Sequence, residues 1–320
     1  MEKKPVKSRL WKWIRRIVLT LIVLIVLLIY VVLPWFATGF ITQSGTRPGE
    51  RDFTFTPMDS GGVAFEDVVF RAADPEVHNN ESIAPDISAW YLPHDSAKAV
   101  IIYSHGLFRS RREVLNLACT LWEQGFAGLI LDLRGHGESP ADLTSMGYLE
   151  RYDIVGASKF LREDLTPDLP IIAYGVSMGG AATLLATSES NEIDMTIVDS
   201  SFLSFEHTIR HHAKFLPYIP SWPIATLVIN IAESRIGFDR DDFDLRKTVA
   251  QIDEKPILFI AAERDQRMPI EVAQTLHDAA LTLHKSLVII PDATHGRGFR
   301  THPNLYIENI LNFVDEHLHH

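Results

Sequence analysis

Ile171-Ile172-Ala173-Tyr174-Gly175-Val176-Ser177-Met178-Gly179-Gly180 is the stretch that decides the fold. Ile171–Tyr174 reads as a buried strand, the small-residue run from Met178 reads as a helix, and a G-x-S-x-G turn lies between them. Such a turn holds its serine in a strained conformation, so small residues at 175 and 179 let neighbouring elements approach. The helix N-terminus that follows favours negative charge beside Ser177. An ordinary serine in a tight turn has the same local pattern, so the rest of the chain has to supply its partners.

Outward from this turn, short apolar strands alternate with amphipathic helices. Upstream lie Ala99–Tyr103, a helix over Arg112–Trp122 with Val114, Leu117, Ala118, Leu121 and Trp122 on one face, Ala127–Leu131, and a helix near Arg151–Leu161. Gly125 stands where the first of these helices should stop. Downstream lie Met195–Val198, Ile257–Ile260, a helix opened by Pro269 and running to about Ala280, and Leu287–Ile290. A closing helix carries Tyr306, Ile307, Ile310, Leu311 and Val314 as its apolar stripe. This βαβ succession predicts an α/β fold with a mostly parallel central sheet and helices on both faces. Val68–Arg71 and Ile87–Leu92 read as an antiparallel edge, around a loop that contains the sequon Asn80-Glu81-Ser82. From Phe202 to about Ile252 the alternation lapses into aromatic and helical stretches, with Phe215, Tyr218, Trp222 and the apolar run Ile224–Ile231. That segment is expected to be a helical cap insertion.

A serine hydroxyl needs a base, and His295 follows the last strand in Pro291-Asp292-Ala293-Thr294-His295-Gly296. The base in turn needs an acid to fix its tautomer. Asp265, in the loop after Ile257–Ile260, ranks first, with Glu263 and Asp199 as competitors and Asp292 too close in sequence to His295 to orient it. Attack on a carbonyl builds an oxyanion, for which the backbone N–H groups of Met178 and Leu107 are the expected donors. His105, in Ser104-His105-Gly106, is expected to brace that loop.

His105-Gly106, Asp132-Leu133-Arg134-Gly135-His136-Gly137-Glu138-Ser139, Gly175–Gly180, Asp265 and His295 together resemble an α/β-hydrolase from about Val63 to the C-terminus. The order Ser177, Asp265, His295 is the order of that superfamily. The likeness is to its esterase-like and prolyl-oligopeptidase-like members. It implies cleavage of esters, thioesters or peptides without a cofactor, and a structural role for the Arg134–Ser139 turn, His136 included. The insertion matches no pattern that would define a substrate. Carboxylic esters are the first expectation and peptides the second; a catalytically silent binding or scaffold protein is the alternative from another class.

Ahead of this domain, Ile17 to Ala37 carries no charge and is about long enough to cross a bilayer as a helix. Seven basic residues precede it against Glu2 alone, which predicts a cytoplasmic tail (1–16), a transmembrane helix (17–37) and a catalytic domain on the extracytoplasmic side. Bulky Trp35 two residues before Ala37 disfavours signal-peptide cleavage there. Thr38–Ser60 lacks an apolar face of helical period and reads as a stalk or early edge strands, so the expected organisation is a stalk or edge segment over 38–62 and the hydrolase domain over 63–320. Residues 38–320 hold 23 basic and 40 acidic side chains, which disfavours nucleic acid and anionic lipid surfaces as partners and leaves a small-molecule or lipid-like ester as the expected substrate. Cys119 is the single cysteine, so no intrachain disulfide forms; His207 and His211 stand four apart without a third ligand at metal spacing, and no metal or cofactor is expected.

Overall fold

The computed structural model describes residues 6–47, 54–73, 84–214 and 221–318. The sequon at Asn80, together with Phe215, Tyr218, His319 and His320, lies outside them. The chain forms two compact units, residues 1–41 with 209–237, and residues 42–208 with 238–320.

The second unit is built on one eight-stranded sheet: β1 Glu66–Arg71, β2 Asp86–Leu92, β3 Ala99–Ser104, β4 Phe126–Leu131, β5 Ile171–Val176, β6 Met195–Asp199, β7 Ile257–Ala262 and β8 Lys285–Ile290. Their spatial order is β1-β2-β4-β3-β5-β6-β7-β8. β1 and β2 pair antiparallel, β2 pairs antiparallel with β4, and every later pair is parallel. Each strand foreseen from the sequence is present, and each is one or two residues longer.

The period-2 alternation of a strand sends successive side chains to opposite faces. In β3, Ala99, Ile101 and Tyr103 pack with Leu117 and Leu121 of helix Leu115–Trp122 and with Ile310 and Val314 of helix Pro303–His317. Val100 and Ile102 pack on the other face with Ile154 of helix Arg151–Phe160 and Ala182 of helix Met178–Glu189. Both faces are therefore covered, which is why the central strands are apolar throughout instead of alternating with polar residues. Cys119 is buried in this core, and burial raises its thiol pKa.

The expectation of a stalk or edge segment beginning at Thr38 is corrected over Thr38–Thr42, which is helical. The N-terminal helix runs from Val6 through a π-helical turn at Leu28–Val32 and on to Thr42. Pro34, Thr38 and Thr42 recur one turn apart and are buried, and the Thr38 hydroxyl donates back to the Pro34 carbonyl at 2.8 Å, so polar residues here continue a helix. Residues 43–47 then run along the second unit, where the Thr46 hydroxyl accepts from Gly137 N–H and Arg47 N–H donates to the Phe108 carbonyl. Pro57–Gly61 is a short helix capped by Thr56 and Asp59; the Thr-x-x-Asp spacing was its available signal.

Within the first unit, helix Ser221–Ile236 of the insertion packs on the Leu28–Val32 turn. Thr38 Oγ1 reaches the Val228 carbonyl at 3.3 Å, and the Arg235 guanidinium lies 5.8 Å from the centre of the Trp35 ring.

Candidate active site

Ser177 sits between the end of β5 and the first turn of Met178–Glu189 with φ 56° and ψ −113°, a conformation that stores strain in a non-glycine residue. The turn is held from both sides: Ser177 N–H donates to the Asp199 carbonyl at 2.8 Å, and its carbonyl accepts from Ala181 N–H at 3.1 Å. A side chain at 175 would run into the Gly179 carbonyl, and one at 179 into the carbonyls of Ser104 and His105. The two glycines thus allow β5, the following helix and the β3 loop to meet at the serine.

His295, in the loop after β8, stands with Nε2 at 2.9 Å from Ser177 Oγ. Its Nδ1 is 2.6 Å from Asp265 Oδ2, and the Asp265 side chain is fully buried in the loop after β7. The other Asp265 oxygen accepts from the N–H groups of Arg267 and Met268, at 2.8 and 2.9 Å, which fixes the carboxylate plane. Of the four acids weighed from sequence, only Asp265 meets the imidazole. Glu263 turns to Asp292 N–H, Asp292 pairs with Arg264, and Asp199 is engaged by the Ser200 and Tyr306 hydroxyls at 2.7 and 2.8 Å.

Asp199 is nonetheless part of the site's surroundings. Burial raises its pKa, against the hydrogen bonds from Ser200 and Tyr306. Tyr306 also bonds the Tyr174 hydroxyl at 2.9 Å, and burial pushes both phenols well above the ordinary tyrosine range. Ser200 Oγ in turn accepts from Gly296 N–H at 3.2 Å, which ties the residue after His295 to the end of β6.

The loop after β3 is braced by two imidazoles and a carboxylate. His105 Nε2 accepts from Leu133 N–H at 3.1 Å, so its proton is on Nδ1, which donates to the Gly106 carbonyl at 2.8 Å. Burial lowers the His105 pKa well below the ordinary value, in keeping with a neutral ring. His136 Nε2 accepts from Phe108 N–H at 3.2 Å. Glu113 Oε2 takes the Gly106 N–H at 2.7 Å, a role that no sequence signal announced. Between these anchored neighbours, Leu107 N–H donates to no acceptor among the described residues, and Met178 N–H, first in its helix, has no intrahelical acceptor. Asp132 holds the turn that follows β4 by accepting from Arg111 and Glu138 N–H groups, at 2.7 and 3.0 Å. Among the described residues no group of three His, Cys, Asp or Glu side chains could hold a metal ion.

A family model described as serine aminopeptidase, S33, matches residues 95–242, a range that includes Ser177 and stops short of Asp265 and His295. An uncharacterised Bacillus subtilis protein, YqkD, is 26% identical over 233 residues, 72% of this chain and 75% of its own. Among solved structures, the Pyrococcus furiosus esterase Pf2001 superposes with a TM-score of 0.69 at 21% identity, covering 86% of this chain and 99% of its own. The α/β-hydrolase GrgF from Penicillium gives 0.62 at 18% identity, covering 81% and 100%. The fold is that of the α/β-hydrolases.

Proposed function

We propose that this chain, a hydrolase of the α/β-hydrolase fold, is a membrane-anchored serine esterase acting through an acyl-enzyme on Ser177. One observation carries the reading: His295 stands within hydrogen-bond distance of both Ser177 Oγ and a buried carboxylate, at 2.9 and 2.6 Å. In the proposed reaction Ser177 Oγ attacks the ester carbonyl carbon while His295 Nε2 takes its proton. Asp265 keeps the other ring proton on Nδ1 and stabilises the imidazolium that forms. The N–H groups of Leu107 and Met178 receive the developing oxyanion, and the braces on Gly106 and Phe108 hold the Leu107 donor in place before substrate arrives. His295 then returns the proton to the leaving alcohol, and water repeats the sequence on the acyl-enzyme.

The helix over Leu10–Thr42 is long and apolar enough to cross a membrane. With seven basic residues ahead of its apolar run, the proposed orientation keeps the N-terminus cytoplasmic and the catalytic unit extracytoplasmic.

Ser177→Ala is expected to lower hydrolysis of short p-nitrophenyl esters by at least about 10⁴-fold and to abolish labelling by a fluorophosphonate probe, with the unfolding midpoint unchanged. Labelling that persists in the variant puts the nucleophile elsewhere. The aminopeptidase description of the matching family model favours a second reading, cleavage of aminoacyl amides by the same residues. Turnover of matched esters and aminoacyl amides decides between the two.

A further inference from the structure

A cleft of about 530 Å³ opens beside His295, floored by Tyr174, Val176 and Asp199. Arg109, Arg297 and Arg300 line its outer part. Arg109 is matched by Glu113 at 3.1 Å, but the guanidinium groups of Arg297 and Arg300 meet no carboxylate among the described residues. Both oxygens of Asp199 are turned to Ser200 and Tyr306. Two unmatched positive charges therefore face a cavity against the imidazole, in a unit whose overall charge is strongly negative.

Placement decides which part of a substrate this cleft would take. His295 lines it and Ser177 does not. In acyl transfer the histidine hands its proton to the leaving oxygen, so space on the histidine side receives the leaving group. We infer that the cleft is a leaving-group subsite for an alcohol bearing an oxyanion, a carboxylate or a phosphate, held by Arg297 and Arg300. The guanidinium fork matches both oxyanions. The inference rests on the esterase reading above and narrows its substrate class.

The test compares aryl acetates of similar shape: 3-acetoxybenzoate, 3-acetoxyphenyl phosphate and the neutral 3-acetoxybenzamide. Because both arginines are solvent-exposed, the expected preference in kcat/KM for the anionic esters is about fivefold to tenfold, carried mainly by KM and shrinking between low and high salt. Arg297→Gln with Arg300→Gln is expected to erase the preference while leaving the neutral ester within about twofold, and that unchanged rate shows that the variant is folded. The larger preference, toward carboxylate or phosphate, identifies which oxyanion the site takes. Equal rates for charged and neutral esters in the unaltered protein, or a preference that survives the double substitution, overturn the inference. Should none of the three esters turn over, slowing of fluorophosphonate labelling by 3-hydroxybenzoate but not by 3-hydroxybenzamide reads the same site, and equal effects overturn it. Neutral-ester hydrolysis that persists in Ser177→Ala is a failure of the esterase reading. Ser177-dependent hydrolysis without discrimination is a failure of the subsite alone.

Discussion

Two stretches of nearly identical chemistry meet different fates in this molecule. Val23, Leu24 and Ile25 in the N-terminal helix keep 55, 55 and 54% of their surface exposed, whereas Ile101, Ile102 and Ile172 in β3 and β5 keep none. In the sheet unit, helices on both faces remove the aliphatic surface from water, at about 1.5–3 kcal/mol for each large side chain fully buried. In the helical unit the side chains of Ile17–Leu27 stay exposed among the described residues. In the proposed reading a bilayer covers that surface, which a helix permits because its backbone hydrogen bonds are satisfied internally. The same aliphatic composition thus builds a core in one unit and an exposed apolar helix surface in the other. Period decides which: strands of five to seven residues interrupted by polar turns, against one uninterrupted helical run of bilayer length.

The contrast is broken most directly by removing the same atoms from each unit. Ile101→Ala leaves a cavity between β3 and the helices that cover it and is expected to cost about 2–5 kcal/mol, or roughly 4–20 °C in the midpoint of thermal loss of activity. Ile22→Ala, at a half-exposed position in the helix, should leave that midpoint where it is. A comparable drop from Ile22→Ala would mean that the helix is covered by protein after all.

That distinction was readable in the sequence because it depends on local period and length. The order of Ser177, Asp265 and His295 was readable for a related reason: each follows a strand end, and the sheet brings those ends together. Choosing among Asp265, Glu263 and Asp199 was harder, since all three lie near strand ends and only side-chain direction separates them. What stayed hidden depends on contacts between residues far apart in the chain. Glu113 holding Gly106 N–H, Ser200 tying Gly296 to Asp199, and Tyr306 capping Asp199 from the closing helix have no local pattern. The misreading of Thr38–Thr42 as stalk has the same origin. The segment lacks an apolar face of helical period, yet Thr38 and Thr42 are buried along one side of a helix.

A charge placed in the exposed run sharpens the comparison at somewhat lower energy. Leu24→Arg near the middle of Ile17–Ala37 is expected to disfavour membrane insertion by about 2.5–3.5 kcal/mol. It should move the protein from the alkali-resistant membrane pellet toward the soluble fraction while hydrolysis of a soluble ester by Ser177 is unchanged. Unaltered partition would remove the bilayer as the medium that covers this helix.

The smallest expected effect tests how the insertion is held. The Thr38 hydroxyl, in the middle of the buried stripe Pro34, Thr38 and Thr42, donates to the Pro34 carbonyl at 2.8 Å and lies 3.3 Å from the Val228 carbonyl. Thr38→Val keeps the shape and removes the donor, a loss of about 0.5–1.5 kcal/mol. If helix Ser221–Ile236 depends on the N-terminal helix for its protection, amide exchange over 224–236 should quicken about two- to twelvefold, while exchange in β3 and β5 stays as it was. Faster exchange in the strands as well would mean that the two units open as one cooperative body. No change over 224–236 would mean that apolar packing on Leu28–Val32, and not this hydroxyl, holds the insertion.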